Sequence, residues 1–192
     1  MVTAALVAPF AVWIALMTAL PATAEMYAAR TAATIAALAF SAFVLKPRVD
    51  FRGLGRALVW GAPAGIVVLA VWVLPEHCEL YRRFFILGEG GTAAVDESGP
   101  VLLAIRLFGS AFVISVAEEL FFRRFLIGFA GFWCSLALFA VEHDRFLVAI
   151  FAGFVYALLY ERKGLASAIV AHATTNLALG AYVLLTGEWA FW

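Results

Sequence analysis

The chain has 192 residues, of which 66% are hydrophobic, 15% aromatic and only 14% charged, with a mean hydropathy of +1.01. A soluble domain carries about 45–50% apolar and about 25% charged residues, so this composition excludes one. Thirteen basic and thirteen acidic side chains cancel to zero formal charge, which leaves no basic surface for nucleic acid.

A helix needs about 20 apolar residues to cross a bilayer. Apolar runs at Val2–Leu20, Thr31–Leu45, Ala57–Leu74, Val101–Ile127, Gly131–Val141, Phe146–Tyr160 and Leu165–Thr186 predict an all-α, polytopic transmembrane helical bundle of about seven spans. Residues 1–100 supply N-terminal helices and an external loop, and 101–192 a helical core that carries the ionisable residues, within one structural domain. After the first run, Pro21-Ala22-Thr23-Ala24 resembles a small-residue cleavage site, but no Lys or Arg precedes the run. A retained helix is expected rather than a signal peptide.

Lys46, Arg48, Arg52 and Arg56 share the second connection, and Arg123 with Arg124 and Arg162 with Lys163 end later spans on the same side. That side is expected to be cytoplasmic. Pro75–Pro100 is then the longest external loop, with Glu76, Glu79, Glu89, Asp96 and Glu97, and with Arg82 and Arg83 against the bias. Gly61 and Gly65 are four residues apart, as are Ala149, Gly153 and Ala157, a spacing that lets helix backbones approach closely. Trp60, Trp72, Tyr81, Tyr160, Trp189 and Trp192 fall near span ends, where an amphipathic ring suits the interface. Cys78 and Cys134 lie at different depths and predict no disulfide. Arg106 is expected to snorkel, and His77 with Cys78 to be a loop pair rather than a metal site.

Three groups of polar residues stand out, because an ionisable side chain inside a span costs about 2.5–3.5 kcal/mol on insertion scales. The first is Glu118-Glu119 with Arg123. Glu119 and Arg123 are four apart and can pair on one helix face, while Glu118 points about 100° away and stays available. A salt bridge at the membrane boundary is the simpler reading of this segment alone. Next comes Phe139-x-x-x-His143, an aromatic one turn beneath an imidazole, which alone reads as an interfacial histidine. The third is His172-x-x-x-Asn176, whose side chains share a stripe inside an apolar run.

Together these supply a carboxylate, two imidazoles and an amide, the inventory for activating water and stabilising an oxyanion. Glu118, assisted by His143, would take a proton from water, and His172 with Asn176 would donate to the developing negative oxygen. No H-E-x-x-H or G-x-S-x-G occurs, which disfavours a zincin and a serine hydrolase. No cofactor is expected, although Glu118, His143 and His172 could supply three ligands to zinc. An inactive membrane scaffold or binding protein, or a proton-coupled transporter, is an alternative use of the same residues.

In order, Glu118-Glu119-x-x-x-Arg123, Phe139-x-x-x-His143 and His172-x-x-x-Asn176 resemble the motif set of the intramembrane CPBP family, which includes type II CAAX prenyl endopeptidases and bacteriocin-processing enzymes. The resemblance covers roughly Val101 to Leu179. It implies a glutamate-dependent peptidase acting on a membrane-embedded or membrane-anchored peptide or protein. Glu118 would be the water-activating base, Glu119 and Arg123 its support, His143 its partner, and His172 with Asn176 the oxyanion donors. Chain length and motif spacing are similar to a prokaryotic CAAX-protease-related group associated with exosortase systems, which implies an integral protein of a prokaryotic inner membrane.

Counting spans literally, Glu118 and His172 lie toward the cytoplasmic side while His143 ends the next helix toward the outside. The interval from Gly131 to His143 is only about a dozen residues, about 18 Å, which is expected to leave the imidazole within the bilayer.

Overall fold

The computed structural model describes residues 1–45, 53–85 and 99–191. Lys46, Arg48, Arg52, Glu89, Asp96, Glu97 and Trp192 lie outside the described residues. Within them the chain is all-α, with helices α1 (Val2–Ala19), α2 (Ala24–Leu45), α3 (Leu54–Val73), α4 (Glu79–Phe85), α5 (Pro100–Ala130), α6 (Phe132–Val141), α7 (Phe146–Lys163) and α8 (Leu165–Thr186). A 3₁₀ turn, Leu74–His77, extends α3, and another, Trp189–Phe191, follows α8.

All seven apolar runs are helical, and the polytopic bundle stands. Among the described residues, five segments are long and apolar enough to cross a membrane: α1, α2, Leu54–His77, α5 and α8. The fifth and sixth runs differ from full spans. At ten residues, α6 rises only about 15 Å, half a bilayer core. The 18 residues of α7 end on Glu161, Arg162 and Lys163. Seven helical runs thus include one that goes only part of the way.

The start of α2 is a second difference. It begins at Ala24 rather than Thr31 and carries Arg30 into the bundle, only 8% exposed. The Arg30 guanidinium lies 5.2 Å from the Trp13 ring centre and 5.3 Å from that of Tyr27. Aromatic faces can hold a desolvated cation, so the charge does not end the helix.

The exterior is apolar, as lipid-facing surfaces require: Phe43, Val59, Phe129, Trp133 and Leu185 are all exposed. Polar residues occupy the inside, where Glu118, Glu119, Arg123, Ser135, His172 and Thr175 are buried. Small residues bring the helices close enough to enclose them. A Cβ added at Gly65 would stand 2.4 Å from the Ala171 oxygen, and one at Gly61 2.7 Å from the Ser167 oxygen. Here α3 therefore lies directly on α8. Gly153 plays the same part between α7 and α6, where a Cβ would meet Phe139 Cδ1 at 2.8 Å.

Two tight hairpins order the second half of the chain. Gly131 joins α5 to α6 with φ 88° and ψ 168°, and Gly164 joins α7 to α8 with φ 91° and ψ 170°. That backbone region is essentially confined to glycine, so each residue sets where its hairpin folds back. Before the first of them, α5 departs from regular α geometry. Gly109–Ile114 and Glu119–Leu126 are π-helical, on either side of one α turn, Ser115–Glu118. A π turn widens the helix and frees carbonyls for other donors.

Candidate active site

Both π segments of α5 are tied down by side chains from facing helices. In the second, Glu119 and Arg123 are fully buried, with Arg123 Nε 3.2 Å from Glu119 Oε2. Arg123 also donates from Nη1 to Ser135 Oγ on α6 at 3.4 Å, and its guanidinium lies 4.6 Å from the Phe139 ring centre. Ser135 Oγ in turn donates to the Phe122 carbonyl at 2.7 Å. The expected Glu119–Arg123 pair is formed, inside the protein rather than at a wet boundary. Buried charges demand such extra contacts, because ion pairing alone seldom offsets their desolvation.

His172 on α8 stands between the two glutamates. Its Nδ1 is 3.0 Å from Glu119 Oε1 and its Nε2 is 3.8 Å from Glu118 Oε2. An ionised carboxylate accepts only, so Nδ1–H donates to Glu119 and Nε2 is left facing Glu118. At 3.8 Å this second contact is longer than a hydrogen bond. Glu118 is 5% exposed, and its Oε2 is buried without a hydrogen-bond partner.

The orientation of His143 is set by its own helix. Its Nδ1 lies 2.8 Å from the Phe139 oxygen; a carbonyl can only accept, so Nδ1 carries the proton and Nε2 presents a lone pair. Phe139 packs on His143 at 4.7 Å between ring centres and meets His172 edge-on at 6.0 Å. One phenylalanine thus buttresses both imidazoles.

Asn176 secures the first π segment. Its Nδ2 donates to the Ser110 carbonyl at 2.9 Å and to Ser115 Oγ at 3.2 Å. Ser115 Oγ also donates to Ser110 O at 3.3 Å, five residues back along the widened helix. Both amide hydrogens are therefore engaged, a different picture from an amide held free for an oxyanion. Donation to a substrate requires one of these bonds to be exchanged, the longer bond to Ser115 being the easier.

Glu118, His143, His172 and Asn176 line one cavity of about 180 Å³, with Tyr156, Thr175, Ala152, Phe191 and Trp72 also on its wall, the Trp72 ring 5.6 Å from that of His143. A water takes about 30 Å³ in the liquid, so the space admits a few waters or part of a peptide. The conflict of depth seen in the span count is removed by the two hairpins. Glu118 precedes Gly131 by thirteen residues and His143 follows it by twelve, so both stand about 18–20 Å from the same turn. Because α6 stops half-way, its end lies level with Glu118.

Among the described residues, no three His, Cys, Asp or Glu side chains are grouped closely enough to hold a metal ion. Glu118, His143 and His172 as placed are therefore not grouped for zinc. His77 and Cys78 form no such group either.

Several residues of the site escaped the sequence reading. Tyr156 is fully buried, stacks on His172 at 4.8 Å and 17°, and donates to Thr175 Oγ1 at 2.8 Å. Thr175 Oγ1 lies 3.0 Å from the Gly65 oxygen of α3. Ser110, Ser115 and Ser135 were also passed over. The available signal was spacing: Tyr156 and His172 are each eight residues from Gly164, and Ser110 and Ser115 are five apart in an apolar helix.

Fold and site together define an all-α polytopic membrane protein with an acid, two imidazoles and an amide around an internal cavity. Residues 100–178 match the family described as type II CAAX prenyl endopeptidase Rce1-like, so over this segment the chain is similar to a family of membrane proteases. The matched stretch runs from the first residue of α5 past Asn176 and contains every residue of the inferred motif set. No curated protein and no solved structure matches the chain.

Proposed function

We propose that this protein is an intramembrane peptidase that hydrolyses a peptide bond of a membrane-embedded or membrane-anchored substrate with water activated by Glu118. The observation that carries this reading is the Glu118 carboxylate: buried, lining the cavity shared with His143, His172 and Asn176, and holding in Oε2 an acceptor without a donor. A water placed there would satisfy that oxygen and be held for attack.

In the reaction, Glu118 takes a proton from water as its oxygen bonds to the substrate carbonyl carbon. The electron pair of the carbonyl moves onto oxygen, where Asn176 Nδ2, released from Ser115, can donate, together with His172 Nε2 while it shares the proton that Glu118 has taken from water. Collapse re-forms the carbonyl and breaks the C–N bond, and the proton held by Glu118 passes to the leaving amine. His172 Nε2, 3.8 Å from Glu118, can share that proton. His143, whose Nε2 lone pair is free, can orient the water. Glu119 and Arg123 hold His172 and do not themselves react.

Purified protein in nanodiscs, offered a set of membrane-anchored peptides, tests this. Glu118→Gln keeps the size of the side chain and removes the base, so hydrolysis should fall by about 10²–10⁴, the usual worth of a general base, while the thermal melt is retained. Undiminished hydrolysis by the variant would overturn the proposal, as would turnover that a chelator abolishes and zinc restores. A scaffold would keep its biological role after Glu118→Gln; a transporter would show proton-linked flux in sealed vesicles. We further propose that the membrane is a prokaryotic inner membrane with Arg56, Arg124 and Arg162 on the cytoplasmic side, consistent with the clustering of these cations at one end of the bundle.

A further inference from the structure

A second and larger cavity, about 730 Å³, lies at the end of the bundle where α3 begins, α7 ends and α8 begins. It is separate from the peptidase cavity, and among the described residues the two have no lining residue in common. Arg56, Arg124, Arg162 and Lys163 line it, with Glu161 as the only carboxylate among its described lining residues. No carboxylate among the described residues lies within ion-pair distance of any of these four cations. Elsewhere in the protein Arg123 and Arg145 both have such partners.

Three further features suit an anion. Helix α8 opens into this cavity at Gly164 with no side-chain cap, and the first N–H groups of a helix have no partner within it. Leu165 and Ala166, which carry them, are lining residues. Lys163 is held as well: its Nζ stands 4.0 Å above the Trp60 ring, so the ammonium is fixed at the wall. Trp60 is an exposed aromatic near a span end, a place such rings take at the headgroup level of a bilayer. Cations drawn to one side of a membrane by general bias need only be scattered over it; here they come from three separate helices and enclose a concave space.

We propose that this cavity binds the phosphate-bearing headgroup of an anionic phospholipid. Guanidinium groups pair with phosphate oxygens in bidentate fashion, uncapped helix N-termini accept phosphate, and basic pockets between membrane helices are where such headgroups are recognised. The lipid chains would run along the apolar exterior beside Trp60. The site stands on its own and does not depend on the hydrolytic reading.

The full chain, purified in detergent, is offered short-chain phosphatidylglycerol, short-chain phosphatidylcholine or inorganic phosphate, and bound lipid is counted by native mass spectrometry. Phosphatidylglycerol should be retained at least tenfold better than phosphatidylcholine, and Arg56→Ala with Arg162→Ala should remove most of that preference. Arg82→Ala with Arg83→Ala, which deletes two cations of α4 outside the cavity, should change retention less than twofold. Equal retention of the two lipids by the unaltered chain overturns the proposal, and that comparison needs no variant to fold. Equal losses from both double variants overturn it too, by showing general charge attraction. Inorganic phosphate that displaces the lipid at equal concentration would show a free-phosphate site instead.

Discussion

Tyr156 and His172 face each other across the Gly164 turn, each eight residues from it, with their rings 4.8 Å apart and inclined by only 17°. The hairpin makes this pair: two antiparallel helices leaving one glycine carry residues of equal separation to equal height. Stacking fixes the plane of the imidazole, and the contact of Nδ1 with Glu119 fixes its rotation. Nε2 is left with one direction, toward Glu118.

Tyr156→Phe retains the ring and loses one hydrogen bond to Thr175, worth about 1 kcal/mol. Tyr156→Ala removes the surface on which His172 rests. In the peptide assay the first variant should act within about threefold of the unaltered protein, and the second should lose well over tenfold in kcat. Equal behaviour of the two would show that stacking does not position His172.

Neutralising one side of the Glu119–Arg123 pair leaves the other charge buried and unpaired. Arg123→Met should destabilise the protein by about 3–5 kcal/mol, read as a lowered denaturation midpoint in detergent. Combining it with Glu119→Gln should recover part of that loss, because the stranded charge is gone. A double variant as unstable as the sum of both single ones would show that the two side chains act independently.

Gly65→Ala places a methyl group 2.4 Å from the Ala171 oxygen and must push α3 off α8. Overpacking of this kind costs about 1–3 kcal/mol. Gly128→Ala meets nothing within 4 Å and should be neutral or slightly stabilising, since alanine is the better helix former. Thermal melts of the two variants side by side check the contrast.

Arg145 holds the turn Trp189–Phe191 in place. It donates through Nε to Glu76 and through Nη2 to the Ala190 carbonyl at 2.9 Å, with its guanidinium 4.8 Å from the Phe191 ring. Phe191 lines the site. Phe191→Ala should therefore alter KM for peptide more than kcat, while Arg145→Ala, which releases the whole turn, should do so more strongly and also lower stability. Steady-state kinetics at several peptide concentrations separate these effects.

Much of this protein could be read from local composition. Runs without charge make helices in lipid wherever they occur, since every backbone N–H and C=O must be satisfied within the segment, and the all-α bundle follows. The Glu118, His143, His172 and Asn176 set was visible because ionisable groups in apolar helices are costly enough to need a reason. Four-residue spacing placed Glu119 beside Arg123 and His172 above Asn176. Arg30 misled the reading of α2 for a physical reason as well: its charge is sheltered by Trp13 and Tyr27, and aromatic shelter depends on a neighbour that spacing does not reveal.

Only the tertiary structure settled how these pieces meet. A hydropathy pattern assigns a run to a helix but not the height at which it ends, so the level shared by Glu118 and His143 emerges only when α6 folds back on α5 at Gly131. Regular 3.6-residue periodicity likewise hides the π turns of α5, whose freed carbonyls are recognised by Asn176 and Ser135 from other helices. Contacts between residues distant along the chain are set by close packing of whole helices. No window of sequence shorter than the bundle contains that information.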